Sequence, residues 1–384
     1  MNSENRILFI SSSDISVDSR ILKQMKAAES IGFKYLAIGI KEFGRIESTV
    51  SDNIISIDPY FRITKKQTHN RLKTILVSII RTLFMSTEVL LKITIKSLIF
   101  KPKIIHCSDY PFLPIAVMLK FLTGAKVIYD IHELESETTG ISKFNRVFVL
   151  MIEKLSWRFI DTVFYVSESI RKWYTENIGE INYEIILNAP ELKVSEKKTD
   201  YIREYFKLDK DSIIFIYLGL LSRDRGIEMA LEVFKLNPKY VIVFMGHGEK
   251  EEEIRKYSSK YANIFLHPAV STDLVLPITS SANFGYCVLE NTSLSVYFSL
   301  PNKLFEYVFS GLPVLASNFP DISDKVNNYN LGLVVDFNKD AIISGIEELI
   351  NRDRKKISQN NNLDVLTWDY QKYKITKILR LMIA

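Results

Sequence analysis

The chain has 384 residues, 47% of them apolar and 25% charged, with a formal net charge of +5. That composition excludes a disordered or collagen-like chain and is sufficient for two domains with cores of their own. Two distant cysteines, Cys107 and Cys287, exclude a disulfide framework and fit a reducing compartment.

The opening "MNSENRILFI" lacks the pattern of a secretory signal and runs almost directly into a strand, so a cytoplasmic location is expected. "RILFISS" reads as a strand, "DSRILKQMKAAESIG" as a helix and "YLAIGI" as the next strand. The charge is unevenly spread. Residues 62–103 carry ten Lys or Arg against one acid, Glu88, which makes this segment +9 and the remainder −4. Its uncharged stretches are too short to span a bilayer. Between 69 and 100, Arg81, Glu88, Lys92 and Lys96 fall in one narrow helical stripe and nearly everything else is apolar. A helix packed on one sheet needs an apolar face of roughly a third of its circumference, and this one has more. Two readings stay open: one or two long core helices with a bend between them, or a basic amphipathic surface resting on anionic lipid at the inner membrane face.

Further along, "KIIHCS", "PFLPIAVMLKFLTG" and "KVIYDIH" repeat the strand–helix–strand order, as do "TVFYVS", "ESIRKWYTENIG" and "EIILNAP". The polar stretch 194–212 reads as a domain boundary. Alternation then restarts with "IIFIYLGLL", "YVIVFMG", "NIFLHPAV", "FGYCVLE" and "PVLAS", and the chain closes on a helical "VLTWDYQKYKITKILRLMIA". The fold class expected is α/β, two doubly wound Rossmann-like domains facing a cleft, with ligands at the carboxyl ends of the strands.

Three stretches carry chemistry at such a cleft. In "YLGLLSRDRGIEMALEVF" a strand ends at Gly219 and Arg225-Gly226 leads into a helix, which makes either a phosphate clamp or an ordinary loop with a solvated arginine. In "VIVFMGHGEKEEEI", Gly246 and Gly248 permit close backbone approach or simply make a tight turn. In "SLPNKLFEYVFSGLPVLAS", Pro301 suits the first helical position and Gly311 the end of the helix. Lys303 joins the exposed N–H groups of that helix start, a setting for phosphate, while Glu306 suits the two hydroxyls of a ribose; the alternative is a plain amphipathic helix.

The order of these motifs, with "NIFLHPAVSTDLVLPITSSANFGYCVLENTSLSVYFSLPNKLFEYVFSGLPVLAS", "DSRILKQMKAAESIGFKY", "VIYDIHELESE", "FYVSESI" and "ILNAPEL", resembles glycosyltransferase family 4 over nearly the whole chain. These are retaining enzymes of the GT-B fold, here with an SLPNKLFEY-type donor helix. The resemblance implies an acceptor-binding domain over 1–193, a nucleotide-sugar domain over 194–365 and a helix over 366–384 crossing back to the first domain. It implies a donor site in which Arg225 and Lys303 neutralise a diphosphate and His132 meets the reacting sugar. Glu306 would hold the ribose, and Gly219, Gly246, Gly248, Ser299, Leu300, Pro301 and Asn302 would border the donor. Pro268, Ala269 and Val270 would meet the base, and Asp18 and Arg20 would lie on the acceptor side. No metal or other cofactor is implied. The donor would be a UDP-sugar, UDP being the commonest in the family, and the acceptor a glycan or lipid-linked glycan of a polysaccharide pathway; no nucleic acid is expected. With no carboxylate placed as a nucleophile, front-face attack is the mechanism expected.

Two departures bear on this. Phe298 stands where the family has a further glutamate, whose contact then falls to Glu290, Asn291 or a backbone group, and Leu220 stands where the family often has arginine. Two rivals remain: a non-catalytic subunit that binds a partner glycosyltransferase, and a nucleotide-sugar epimerase.

Overall fold

The computed structural model describes residues 4–41, 53–60, 71–191, 199–352 and 363–384. The first part of the chain forms β1 (Arg6–Ile10), α1 (Ser19–Glu29), β2 (Lys34–Ile40), β3 (Ile54–Ile57), α2 (Arg71–Phe100), β4 (Ile104–Cys107) and α3 (Leu113–Thr123). It continues through β5 (Lys126–Ile131), α4 (Lys143–Trp157), β6 (Thr162–Tyr165), α5 (Glu168–Asn177) and β7 (Tyr183–Ile185). The second part forms α6 (Tyr201–Phe206), β8 (Ile213–Leu218), α7 (Ile227–Leu236), β9 (Tyr240–Gly246), α8 (Glu251–Ser258), β10 (Ile264–Pro268), α9 (Thr272–Thr279) and β11 (Phe284–Cys287). It ends with α10 (Leu294–Tyr297), α11 (Asn302–Phe309), β12 (Val314–Ser317), α12 (Pro320–Asn328), β13 (Gly332–Val335), α13 (Lys339–Asn351) and α14 (Trp368–Ile383).

Apolar β-branched and aromatic residues fill these strands because both faces of a parallel sheet are covered by helices. The seven-stranded sheet has the order β3-β2-β1-β4-β5-β6-β7 and the six-stranded sheet the order β10-β9-β8-β11-β12-β13. All strand pairs are parallel. Strand order reverses between β1 and β4 in one sheet and between β8 and β11 in the other, which opens a crevice at the carboxyl ends of each. The two sheets and the facing crevices are the expected GT-B arrangement.

The last helix does cross back. Trp368, Ile375, Leu379 and Met382 pack with Ile7, Phe9, Ile21 and Met25 on one face of the first sheet. Its Gln371 accepts a hydrogen bond from the Leu187 amide at 3.1 Å. Other bonds tie the two halves together. The Ser167 hydroxyl donates to the Phe298 carbonyl at 2.8 Å. The amides of Glu168 and Ser169, at the start of α5, donate to the Asp321 carboxylate at 3.0 and 3.2 Å.

The structure refines these expectations and corrects one, the place of Pro301. The polar stretch 194–212 holds a helix, α6, of the second half: Ile202 is buried, and Arg203 donates to the Ser281 carbonyl and the Asn283 side chain. Residues 192–198 lie outside the described set, as do 61–70 at the start of the basic segment. Residues 71–100 form one 30-residue helix. Pro301 is the N-cap of α11, with Asn302 as the first helical residue. Gly311 does follow the helix end, at φ +72°, where glycine carries no steric penalty.

Candidate functional site

A cavity of about 550 Å³ lies between the two sheets. From the first half it is lined by His132 and Glu133 after β5, Val166 after β6 and Asn188 after β7. From the second half come Gly219, Leu220 and Ser222 to Arg225 after β8, Ser293, Ser295 and Val296, and Ser299 to Lys303 with Glu306 at the start of α11. Nine residues predicted from sequence thus meet in one space: His132, Gly219, Arg225, Ser299, Leu300, Pro301, Asn302, Lys303 and Glu306.

The geometry follows from local chemistry. The start of α11 has no side-chain cap, so its first N–H groups have no partner from the N-cap residue, and Pro301, Asn302 and Lys303 at this end line the cavity. Lys303 is buried, and its Nζ has no hydrogen-bond partner. It sits 3.6 Å from the centre of the Tyr217 ring, whose π face offsets part of the cost of burying the charge. A buried ammonium without an anion fits a site built for an anionic ligand. Arg225 also lines the cavity and forms no ion pair among the described residues. It is aimed by a tight reversal in which Asp224 and Gly226 have φ of +64° and +72°. At Gly226 a Cβ would lie 2.1 Å from the Val288 carbonyl oxygen, so only glycine fits.

Burial raises the Glu306 carboxyl above its ordinary value, while Lys303 and Lys23 pull the other way. Burial lowers the Lys23 ammonium to about 8, helped by Arg20 and opposed by Glu191 and Glu306. Lys23 donates to the Ala189 carbonyl at 2.6 Å and to Asn188 at 3.3 Å. It lies in an adjoining pocket of about 380 Å³, which shares Asn188, Asn302 and Glu306 with the main cavity and is also lined by Thr272, Asp273, Val275 and Leu276 of α9. His132 is half-buried, and its Nδ1 is buried without a partner.

Other predicted residues sit elsewhere. Gly246 and Gly248 do not line the cavity. A Cβ on Gly246 would fall 1.9 Å from the Gly219 carbonyl oxygen, and one on Gly248 2.4 Å from that of Leu221. The Gly219 amide donates to Met245 and the Leu221 amide to His247, so the two glycines let this strand edge seat the 219–221 loop. Pro268 and Ala269 are exposed and Val270 half-buried; the pocket nearest them is lined by the following helix instead. Asp18 caps α1, accepting from the Arg20 and Ile21 amides at 3.0 and 3.1 Å. Arg20 is buried and bidentate to Asp130, at 2.9 and 2.7 Å. Burial pushes the Asp130 carboxyl up, but the charge and hydrogen bonds of Arg20 outweigh it and hold the group well below the usual carboxylate range. Gln24, one turn on, reaches the same carboxylate at 2.8 Å. Asp18 and Arg20 thus form a helix cap and a buried ion pair and line neither pocket; the α1 cations at the adjoining pocket are Lys23 and Lys26. Phe298 packs against the core of the first sheet, and neither Glu290 nor Asn291 lines the cavity.

Sequence reading missed Lys23, Asn188, Arg223 and Glu133. Arg223 was visible as the first arginine of "SRDRG", and Asn188 as the polar residue of "ILNAP"; Lys23 carried no signal short of the helix phase.

Comparisons with known proteins bear on the family and the fold. Residues 198–363 match the family model described as "Glycosyl transferases group 1". The capsular polysaccharide biosynthesis glycosyltransferase CapM of Staphylococcus aureus is 25% identical over 297 residues, covering 72% of this chain and 76% of that protein. Among solved structures, a sucrose-phosphate synthase from Thermosynechococcus elongatus superposes with a TM-score of 0.76 at 15% identity, covering 99% of both chains. Anabaena Alr3699/HepE, solved in complex with UDP and glucose, superposes with a TM-score of 0.71 at 12% identity, covering 98% of this chain and 100% of that one. The chain therefore has the GT-B fold of these structures.

Proposed function

We propose that this chain is a group 1 glycosyltransferase that moves a sugar from a nucleoside diphosphate sugar to a hydroxyl of a glycan acceptor in polysaccharide synthesis. The observation that carries the reading is the unpartnered, buried Nζ of Lys303 at the uncapped start of α11, in one cavity with Arg225 and Glu306. As the bond between the anomeric carbon and the diphosphate oxygen breaks, negative charge develops on the leaving group. Groups already in place stabilise it best: Lys303, Arg225 and the N–H groups of α11. These side-chain cations supply the charge that a metal would otherwise supply, and chelation is expected to leave turnover unchanged. Glu306 accepts from the ribose hydroxyls. His132, which lines the cavity, offers its imidazole to the transferred sugar or the incoming hydroxyl. With no carboxylate of the cavity assigned as a nucleophile, the acceptor oxygen attacks from the face the diphosphate leaves, and its proton passes to the departing oxygen, so configuration is retained. UDP is the base favoured, by analogy with Anabaena HepE.

The replacement of the expected glutamate by Phe298, packed into the first core, favours a second reading in which the fold binds a partner enzyme without turnover. Ligand-observed NMR with UDP-, GDP-, ADP- and TDP-sugars separates the two. Selective binding of one donor, lost in Arg225→Ala and Glu306→Ala, with hydrolysis or transfer on long incubation, supports catalysis. A folded protein that binds none of them refutes it.

A further inference from the structure

We propose that the outer face of the α2–α3–α4 layer is a docking surface for an anionic lipid bilayer, reaching well beyond the basic segment and placing the mouth of the cavity at the lipid boundary. The inner side of this layer is core: Val89 and Ile93 of α2, Leu113, Ala116 and Leu119 of α3 and Trp157 of α4 pack on one face of the first sheet. The outer side is also apolar. On α2, Val77, Ile80, Phe84, Leu91, Ile95 and Leu98 are exposed and fall within a sector of about 60° at 100° per residue. The neighbouring sector carries Arg81, Lys92 and Lys96. On α4, Phe144, Val147, Phe148, Met151 and Leu155 make a second exposed stripe, with Phe144 exposed to 78% and stacked on Phe148 at 6.5 Å. Lys143, Lys154 and Arg158 flank it. Between the two helices, Phe121 and Leu122 of α3 are exposed to 68% and 53%. A soluble surface rarely leaves so large a contiguous apolar area uncovered.

The charges select the occupant. The acids of these three helices are Glu88, which pairs with Lys92, and Glu153, which is buried. Arg81, Lys96, Lys143 and Lys154 form no ion pair among the described residues. A second copy of this chain would bring cations against cations with no free acid of these helices to meet them. Anionic headgroups meet the cations while the stripes enter the acyl boundary. No described helix is long and apolar enough to cross a membrane, so the contact is lateral.

Topology sets the orientation. Crossover helices run antiparallel to their strands, so α2 and α4 start at the carboxyl edge of the sheet, where the cavity opens. At 1.5 Å per residue α2 is about 45 Å long, roughly twice the longest strand of its sheet. The excess overhangs on the cavity side, where Ile80 to Phe84 are all exposed. An acceptor anchored in the bilayer would then reach His132 without leaving the membrane. That last consequence rests on the proposed function; the surface itself does not.

The test is flotation of the full chain with phosphatidylcholine vesicles containing roughly one third phosphatidylglycerol, and with phosphatidylcholine alone. Binding is expected to the anionic vesicles, to fall steeply with salt, and to drop about tenfold in Phe144→Ser/Val147→Ser, outside the basic segment, and again in Leu91→Ser/Ile95→Ser. These side chains are exposed, so an unchanged thermal melt and unchanged UDP binding exclude misfolding as the cause. A wild-type chain that stays unbound, or binding that survives the Phe144/Val147 pair, overturns the proposal. So does a stable dimer that the same pair dissociates. No sugar nucleotide enters the flotation, so its failure leaves the donor-site reading standing.

Discussion

Replacing Lys303 with methionine should separate what the site costs from what it does. Met keeps the apolar stem against Tyr217 and removes the ammonium. The bare Nζ is buried without a partner, a state that costs about 1–3 kcal/mol. Its contact with the Tyr217 ring, at 3.6 Å, returns about 1–2 kcal/mol. Net stability therefore changes by between about −1 and +2 kcal/mol, a melting temperature between about 3 °C below the wild-type value and about 5 °C above it. Binding falls by more than this. A charge-assisted bond to a diphosphate is worth about 1.5–3 kcal/mol, so UDP affinity should fall about 10- to 150-fold. Calorimetric titration with UDP and a thermal melt of the unliganded protein measure both quantities. The reasoning fails if UDP affinity stays within about threefold of wild type. It fails equally if the unliganded variant melts as far below wild type as a core truncation would, because the lysine would then be there for packing.

Burial raises the Glu153 carboxyl to about 7, although the hydroxyls of Tyr129 and Tyr174 donate to Oε1 at 2.9 and 2.5 Å; Oε2 has no partner. The folded state holds this proton more tightly than the unfolded chain, so the group's contribution is favourable at low pH and is lost as pH rises from about 4.5 to 7. Glu153→Gln should remove that loss and raise stability at pH 8 by up to about 3 kcal/mol, with little change at pH 4, as denaturant titrations at the two values will show. Gly246→Ala should lower the melting temperature and weaken UDP binding although the residue does not line the cavity, since its Cβ would displace the Gly219 carbonyl; intact UDP affinity with an intact melt would refute the positioning role. Lys23, lowered to about 8 by burial, loses its charge above that pH and leaves Glu306 with one cation fewer. UDP affinity should therefore fall roughly threefold between pH 7 and 9 relative to Lys23→Met, in which that step is absent; parallel profiles would exclude Lys23 from the donor site.

The order of strands and helices and the residues around the start of α11 were legible in the sequence. Both rest on local physics: alternating apolar runs for a parallel sheet, and a proline, a cation and a carboxylate at fixed spacing along one short helix. Because α11 and the loop after β8 are each continuous in sequence, their side chains arrive at the cavity together once the sheet forms. Distinctions that depend on packing were not legible. Arg20 and Lys23 are three residues apart on α1, and the sequence does not say which faces the cleft; the buried carboxylate of Asp130, more than a hundred residues away, takes Arg20 and leaves Lys23 at the cavity. Gly246 and Gly248 looked like ligand contacts, whereas the neighbouring strand edge makes them supports for another loop. The apolar stripe of α4 carried no reading in the sequence, and only the tertiary structure showed that it points away from the core. A sequence fixes which side chains share a helix face; which face is buried is decided by what the rest of the chain packs against it.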